Sequence, residues 1–345
     1  MEFLTDYGLF LAKSVTLVAA LLAVAGMVAS LAMRHRQGAP EKIEVKRIND
    51  RYRDMADAVE LATITPAQAK KKIKADKKQR KAEGKKHAKT APDERTRVFV
   101  LNFHGDIRAS EVTLLREEIT AILLASREGD EVVVRLESTG GMVHAYGLAA
   151  SQLTRLREAN IAVTVAVDKV AASGGYLMAC VADRILAAPF AVIGSIGVVA
   201  EIPNFNRLLK KHDIDYEQIS AGEFKRTITM LGETTDRARV KVKEEVEQTH
   251  TLFKDFVKQQ RPVVDLEAVA TGEHWLGTRA HELKLVDEIR TSDDYLMSLR
   301  DTVDIFEVEY SIKRKLPDRL LGFFNTLRRA PLVAGSDNPA ATHLI

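Results

Sequence analysis

The sequence holds a single cysteine, Cys180, among 345 residues, so no internal disulfide can form and cysteine pairing says nothing about redox compartment. Placed in an apolar run, that cysteine reads as a buried, inert thiol. Aromatic residues are scarce, at 6%, and none interleaves with the lysines between Lys70 and Lys89. The stacking surface of a single-strand nucleic-acid binder is therefore missing, and no nucleic-acid partner is expected. The glycine-rich turns lack a histidine; His104 and His144 come nearest and read as structural or exposed residues. The net charge is only +3, but it is uneven. Between Arg34 and Arg97 twenty Lys and Arg face ten Asp and Glu, a surplus of +10 that leaves −7 elsewhere. Hydrophobic residues make up 46%, enough for a sizeable core.

Val15 to Met33 is a 19-residue stretch without a charge, and apolar character reaches back to Leu9 with only Lys13 interrupting. About 20 apolar residues cross a bilayer core. A cleaved signal peptide opens on a basic region and has a shorter core, whereas this chain opens with Glu2 and Asp6. The expectation is a short flank over residues 1–8 and a retained transmembrane helix over 9–33. Arg34, Arg36, Lys42, Lys46 and Arg47 follow the span, and the positive-inside rule places the rest of the chain in the cytoplasm.

Residues 34–95 read as a basic helical connector. Val45, Ile48, Tyr52, Met55, Val59 and Ala62 recur at alternating three and four, predicting a helix over Glu41–Ala62 with a narrow apolar seam. Thr65-Pro66 then starts a second, lysine-dense helix. Its sparse apolar content suits a solvated arm or a membrane surface.

From residue 96 to 312 strands and helices alternate. Val98–Phe103, Glu131–Leu136, Ile161–Val167 and Arg184–Ala188 read as strands. Helices are expected from a Ser110 cap onward, over Val143–Glu158, after Ser173 and over Thr235–Gln260. A further helix is read around Leu266–Gly272, and a strand over Phe306–Ile312. This pattern predicts an α/β domain with largely parallel strands. Ile185–Ile202 is apolar enough to resemble a second span, but Pro189, Gly194 and Gly197 favour buried strands. Residues 313–345, with Leu320, Phe323, Phe324 and Leu327 beside Arg319, Arg328 and Arg329, read as an amphipathic basic segment and a flexible tail.

Three turns carry candidate chemistry. Ser138-Thr139-Gly140-Gly141 ends a strand, and paired glycines free backbone N–H groups for a developing oxyanion. Ala172-Ser173-Gly174-Gly175 joins a strand to a helix, the setting of an exposed nucleophile or of an ordinary serine cap. Ser220-Ala221-Gly222-Glu223-Phe224-Lys225 follows a strand expected over Asp215–Ile219. A lysine can replace histidine as base if it is neutral, which needs a drop of roughly two to three units from about 10.4. On the residues alone, the reading of Lys225 as a surface lysine in a polar loop is the stronger of the two.

These turns resemble those of the signal peptide peptidase A-type serine–lysine membrane peptidases, and the apolar span with its basic arm resembles the SohB branch of that family most closely. The resemblance covers roughly Val98 to Met297. Ala172–Tyr176 is similar to the nucleophile turn, Gly222–Lys225 to the general-base loop, and Gly140-Gly141 to the oxyanion glycines. Ile193–Val198 is similar to a segment whose serine, here Ser195, orients the lysine. His274–Gly277 and Leu285-Val286-Asp287 are similar to later signatures of the family. Thr139 stands where proline is frequent, and Lys284 where glycine is usual. The resemblance implies a ClpP/crotonase-like fold with Ser173 and Lys225 as a catalytic dyad working through an acyl-enzyme, without metal or cofactor. It also implies a bacterial inner-membrane location, a homo-oligomer, and a peptide or unfolded membrane-associated protein as substrate. The rival expectations are a crotonase-like acyl-coenzyme A enzyme and a catalytically idle membrane scaffold.

Overall fold

The computed structural model describes residues 8–22, 41–87 and 95–312. The chain divides into two units, residues 1–42 with 311–345, and residues 43–310. In the first unit residues 8–22 form a helix, α1, whose apolar side chains, such as Leu9, Phe10, Leu17 and Leu22, are exposed. Among the described residues no helix is long and apolar enough to cross a membrane. The rest of the expected span, and the segment over 313–345, lie outside the described residues.

The second unit opens differently from its apolar seam. Glu41–Arg47 is a strand, β1, and the helix α2 runs only over Ile48–Thr63. Pairing of β1 with the last strand, β10 (Asp304–Ile312), overrides the helical spacing. Of the seam, Ile48 is buried and Tyr52 half-buried, while Met55 and Val59 are exposed. Asn49 locks the start of α2. Its Nδ2 donates to Arg300 O at 2.8 Å and Val303 O at 2.9 Å, and its Oδ1 accepts Ile305 N–H at 2.7 Å. The lysine-dense helix α3 spans Pro66–His87 as expected. Thr65 N–H and hydroxyl both bond Gln68 Oε1, closing the first turn.

The repeated units follow: β2 (Arg97–Gly105), α4 (Val112–Ala125), β3 (Glu131–Ser138), α5 (Val143–Glu158), β4 (Ala162–Val167), β5 (Val170–Ala172), α6 (Gly174–Ala179), β6 (Arg184–Ala187) and β7 (Val192–Gly194). After them come α7 (Asn206–Lys211), α8 (Asp236–Gln260), α9 (Leu266–Val269), β8 (His274–Leu276), α10 (Gly277–Glu282), β9 (Glu288–Ile289) and α11 (Ser292–Leu299). The sheet runs β1-β10-β2-β3-β4-β6-β9. The pairs from β10 to β9 are parallel. β5 branches off β3, β7 pairs in parallel with β5, and β8 closes antiparallel on β7. This is the α/β class with largely parallel strands that the sequence predicts. Ser110 does not cap α4; its hydroxyl donates to Asp106 Oδ2, and Glu111 takes the cap position. Within Ile185–Ile202 only the strands β6 and β7 are regular and mostly buried; Pro189 and Phe190 form an exposed turn between them, and Val199 and Ile202 are exposed as well.

Parallel strands are covered on both faces, which is why β2, β3 and β4 read as nearly continuous apolar runs. One face packs Leu101, Phe103, Val134, Leu136 and Val165 against Leu115, Ile119 and Leu153. The other packs Val98, Val100, Val133 and Ala166 against Ile48, Tyr295 and Leu296. Each such side chain removed from water contributes about 1.5–3 kcal/mol. Cys180 is fully buried, and burial pushes its thiol up to about 12, so it stays protonated.

Two polar features lie inside this packing. Arg261, 5% exposed, forks onto Asp287 at 2.8 and 3.0 Å, and Asp287 also accepts Ile185 N–H at 2.7 Å. Burial alone would raise the Asp287 carboxyl, but these bonds outweigh it and hold it below the ordinary range. The turn leading into Asp287 is a Schellman motif. Lys284 N–H bonds His281 O, Leu285 N–H bonds Ala280 O, and Lys284 sits at φ 62°. Glycine would adopt that angle without strain, which explains the residue usual at this place in the family it resembles.

Glu118 on α4, 5% exposed, accepts Tyr310 N–H at 2.9 Å. Burial, with Glu111 and Glu309 nearby, pushes its carboxyl up to about 7. A raised folded-state pKa adds stability that is full below the ordinary carboxylate range and is lost as pH rises through 7. Glu118→Gln keeps the acceptor without the charge. It should match the wild type in urea unfolding at pH 4 and exceed it by about 2–3 kcal/mol at pH 8.

Candidate active site

The site is built where three strand ends meet. Ser138 at the end of β3 is in register with Ala171 of β5, and Ala172 is in register with Gly194 of β7. The residues that follow these strands therefore lie side by side: Gly140 and Gly141 after β3, Ser173 after β5, Ser195 after β7. Crevices at the carboxyl ends of parallel strands are the usual ligand sites of such sheets.

Ser173 stands at φ 51°, ψ −118°, a conformation non-glycine residues rarely adopt. Its N–H bonds Gly194 O at 2.8 Å and its carbonyl accepts Leu177 N–H at 3.0 Å, so the strain is held from both sides. The serine-cap reading fails, because the Ser173 side chain makes no cap bond to α6. Strain at a strand-to-helix turn, with a hydroxyl that has no hydrogen-bond partner among the described residues, is the arrangement of an exposed nucleophile.

Gly140 has φ +89°, and a Cβ placed on it would lie 2.6 Å from Gly174 N and 2.8 Å from Ser173 Cβ. Only glycine lets the first turn come this close to the second. The Gly140 N–H itself donates to Ser138 Oγ at 3.0 Å. Among the described residues the N–H groups of Gly141 and Gly174 have no such partner. Gly174 opens α6, where helix N–H groups are unpaired by construction. Of the two glycines read from the sequence, then, Gly141 keeps a free donor, and Gly174 joins it as a donor the sequence reading missed. The signal was its position directly after the serine.

Ser173, Gly141 and Ser195 line a cavity of about 820 Å³ whose other walls include Leu177, Phe253 and Phe256. Ser195 is held at φ 52° with its N–H on Glu273 O at 2.6 Å. His250 from α8 also lines the cavity, with Nε2 3.2 Å from Ile196 O. His104 and His144 are exposed, as expected.

Lys225 is not among the residues around this cavity. It is exposed and lines a separate hollow of about 560 Å³ with Tyr216, Ile219 and Arg226. The strand expected over Asp215–Ile219 is absent; these residues have no regular structure, and Ile219 is 90% exposed. A strand needs a neighbour to bond, and none runs beside this stretch. The turn is still organised. Gly222 (φ +95°) accepts Lys225 N–H at 3.1 Å, Phe224 lies under Arg237 and Lys241, and Glu223 pairs with Arg237. The structure thus brings Ser173, Gly140, Gly141 and Ser195 together and leaves Lys225 apart.

Two models of one peptidase family match the chain: the peptidase family S49 N-terminal model over residues 2–153 and the peptidase family S49 model over residues 155–305. The chain belongs to peptidase family S49. As an S49 chain it is 49% identical over 322 residues to "Probable protease SohB" of Haemophilus influenzae, covering 91% of each protein. It is 48% identical over 305 residues to the protein of that name in Buchnera aphidicola, covering 86% of this chain and all of the other. Among solved structures it is similar to a 1510-N membrane-bound stomatin-specific protease in complex with a substrate peptide. That likeness has a TM-score of 0.38 at 12% identity, over 68% of this chain and 100% of the other. Membership of S49 makes the chain a serine peptidase and sets it apart from the acyl-coenzyme A reading.

Gly140→Ala should test the close approach of the first two turns. Both its φ and its contact with Gly174 N forbid the added methyl group without a shift of the turn. Turnover of a peptide substrate should fall by about 10²-fold, with far-ultraviolet circular dichroism unchanged.

Proposed function

We propose that this S49 chain is a membrane-anchored endopeptidase in which Ser173 is the nucleophile and Lys225 the general base. The observation that carries this reading is the strained Ser173, set beside the unpartnered N–H groups of Gly141 and Gly174 in an apolar cavity. Neutral Lys225 takes the proton from Ser173 Oγ as the oxygen attacks the scissile carbonyl. The two N–H groups receive the oxyanion. Lys225, now protonated, gives that proton to the leaving amine as the peptide bond breaks. In the second half it takes a proton from water, which attacks the acyl carbon, and it returns that proton to Ser173 Oγ as the acyl–oxygen bond breaks and the acid leaves. Ser195 orients the amine. Leu177, Phe253 and Phe256 favour an apolar substrate side chain beside the cleaved bond.

This chemistry needs the 220–225 turn to carry Lys225 from its own hollow to the Ser173 cavity. The same region leaves Val199, Phe205, Leu208, Ile214, Ile219 and Met230 exposed. So many exposed apolar side chains in one segment support association with a second copy, which would press the lysine turn inward. The exposed apolar face of α1, the uncharged stretch to Met33 and the lysines of α3 support an anchor with a basic collar at a bacterial inner membrane. The lysines and arginines that follow the span favour the cytoplasmic side for the catalytic domain.

Full-length protein in detergent should cleave an unfolded protein such as casein. Ser173→Ala and Lys225→Ala should each lower kcat by about 10⁴-fold or more while leaving thermal unfolding intact. Full activity in either variant would defeat the dyad. Ile219→Glu should reduce the mass measured by light scattering and lower activity with it; an unchanged mass would remove the second copy from the account.

A further inference from the structure

We propose that Tyr146 and Ser138 are positioning residues that preset the oxyanion turn before substrate arrives. The inference rests on the peptidase reading of Ser173 and adds two side chains that do not touch the reacting atoms.

The geometry is a single directed chain of hydrogen bonds. Gly140 N–H donates to Ser138 Oγ at 3.0 Å. Ser138 Oγ lies 2.5 Å from Tyr146 Oη, and Tyr146 O–H donates to Asp106 O at 2.7 Å. A tyrosine hydroxyl has one proton. With that proton on the Asp106 carbonyl, Tyr146 Oη must accept the Ser138 proton, and Ser138 Oγ is free to accept Gly140 N–H. The alternative for the Ser138 proton, Gly105 O, is 3.4 Å away. Each bond in such a chain polarises the next, so the direction is self-reinforcing. Burial, the largest influence, keeps the Tyr146 hydroxyl above its ordinary range and therefore protonated.

The far end of the chain is anchored. Asp106 Oδ1 accepts the N–H groups of Arg108 and Ser110, and Oδ2 accepts the Ser110 hydroxyl. The near end fixes the Gly140 peptide. With its N–H turned onto Ser138 at φ +89°, the next N–H, that of Gly141, is left unpartnered on a residue that lines the Ser173 cavity. Met142 N–H, one residue on, is tied to Ile107 O at 2.8 Å. The Gly141 donor is thus bracketed by two engaged amides.

Tyr146 also touches the second donor. It is fully buried, and a Cβ on Gly174 would strike its ring, so the ring backs the residue that opens α6. A Cβ on Gly175 would lie 2.5 Å from Ser138 O. One side-chain pair therefore sets the distance between the two N–H groups that receive the oxyanion. Preorganised donors of this kind act only on the transition state.

The test uses the full chain with Tyr146→Phe, which keeps the ring, with Ser138→Ala, and with the double variant. A peptide aldehyde, which forms a tetrahedral adduct on the serine, is compared with the matching peptide alcohol, which does not. The expected result is a fall in kcat of about 10- to 100-fold for each single variant, with KM within about twofold. The aldehyde should weaken in parallel with kcat and the alcohol should not. The double variant should be no worse than Ser138→Ala, because both break one chain. Unchanged kcat and aldehyde affinity in Tyr146→Phe would overturn the proposal. So would a collapse of kcat, alcohol binding and thermal stability together, which would mark a merely structural role. Peptide turnover that survives Ser173→Ala would instead sink the assignment of Ser173 as nucleophile, and this proposal with it.

Discussion

The structure depends on β5 being bonded on both sides at once. Three residues long, it could not stand alone; pairing with β3 at Ser138 and with β7 at Gly194 holds it in place. That double pairing forces Ser173 into a left-handed conformation, with its N–H tied to the Gly194 carbonyl. The strain there costs on the order of 1–3 kcal/mol and persists because the neighbouring strands leave no other path. The placement of Ser173, Ser195 and the two unpaired N–H donors follows from where those three strand ends stop.

Around this junction the packing is specialised. Glycines stand where two turns meet, since a methyl group at Gly140 would collide with backbone on the nucleophile side. Beneath them a closed polar chain from Gly140 to Asp106 replaces what would otherwise be unsatisfied buried groups. Farther away, the Arg261–Asp287 fork ties the end of α8 to β6 and to the turn before β9. The cavity walls carried by α6 and α8 are thereby fixed to the sheet. Rigidity is concentrated on the side of the serine and the oxyanion donors.

The lysine side is built differently. Residues 212–234 lack regular structure and expose apolar side chains, and the turn that carries Lys225 is tied to the start of α8 through its neighbours Phe224 and Glu223 rather than to the sheet. A serine and two N–H donors can be preset by backbone pairing. A long amine on an irregular loop cannot be placed that way, and requires further burial to approach the serine. The asymmetry suits the proposed mechanism, in which Ser173 is poised beforehand and Lys225 is brought to it by association with a second copy.

The sequence by itself determined the repeated βα units, because parallel strands covered on both faces demand apolar runs and the crossover helices demand the 3.6-residue period. It also determined the serine turn and the paired glycines, since those residues are read from their neighbours along the chain. Glu41–Arg47 shows where local spacing misleads: an edge strand bonded to β10 overrode a helical period. Tertiary structure alone decided that Gly140 gives its N–H to Ser138, that Tyr146 closes the chain of bonds, and that Lys225 stands apart from Ser173. The bond from Gly140 to Ser138 is local but depends on how the turn is folded, the Tyr146–Asp106 bond joins residues 40 apart along the chain, and the gap between Ser173 and Lys225 is a distance across the fold that no local pattern encodes.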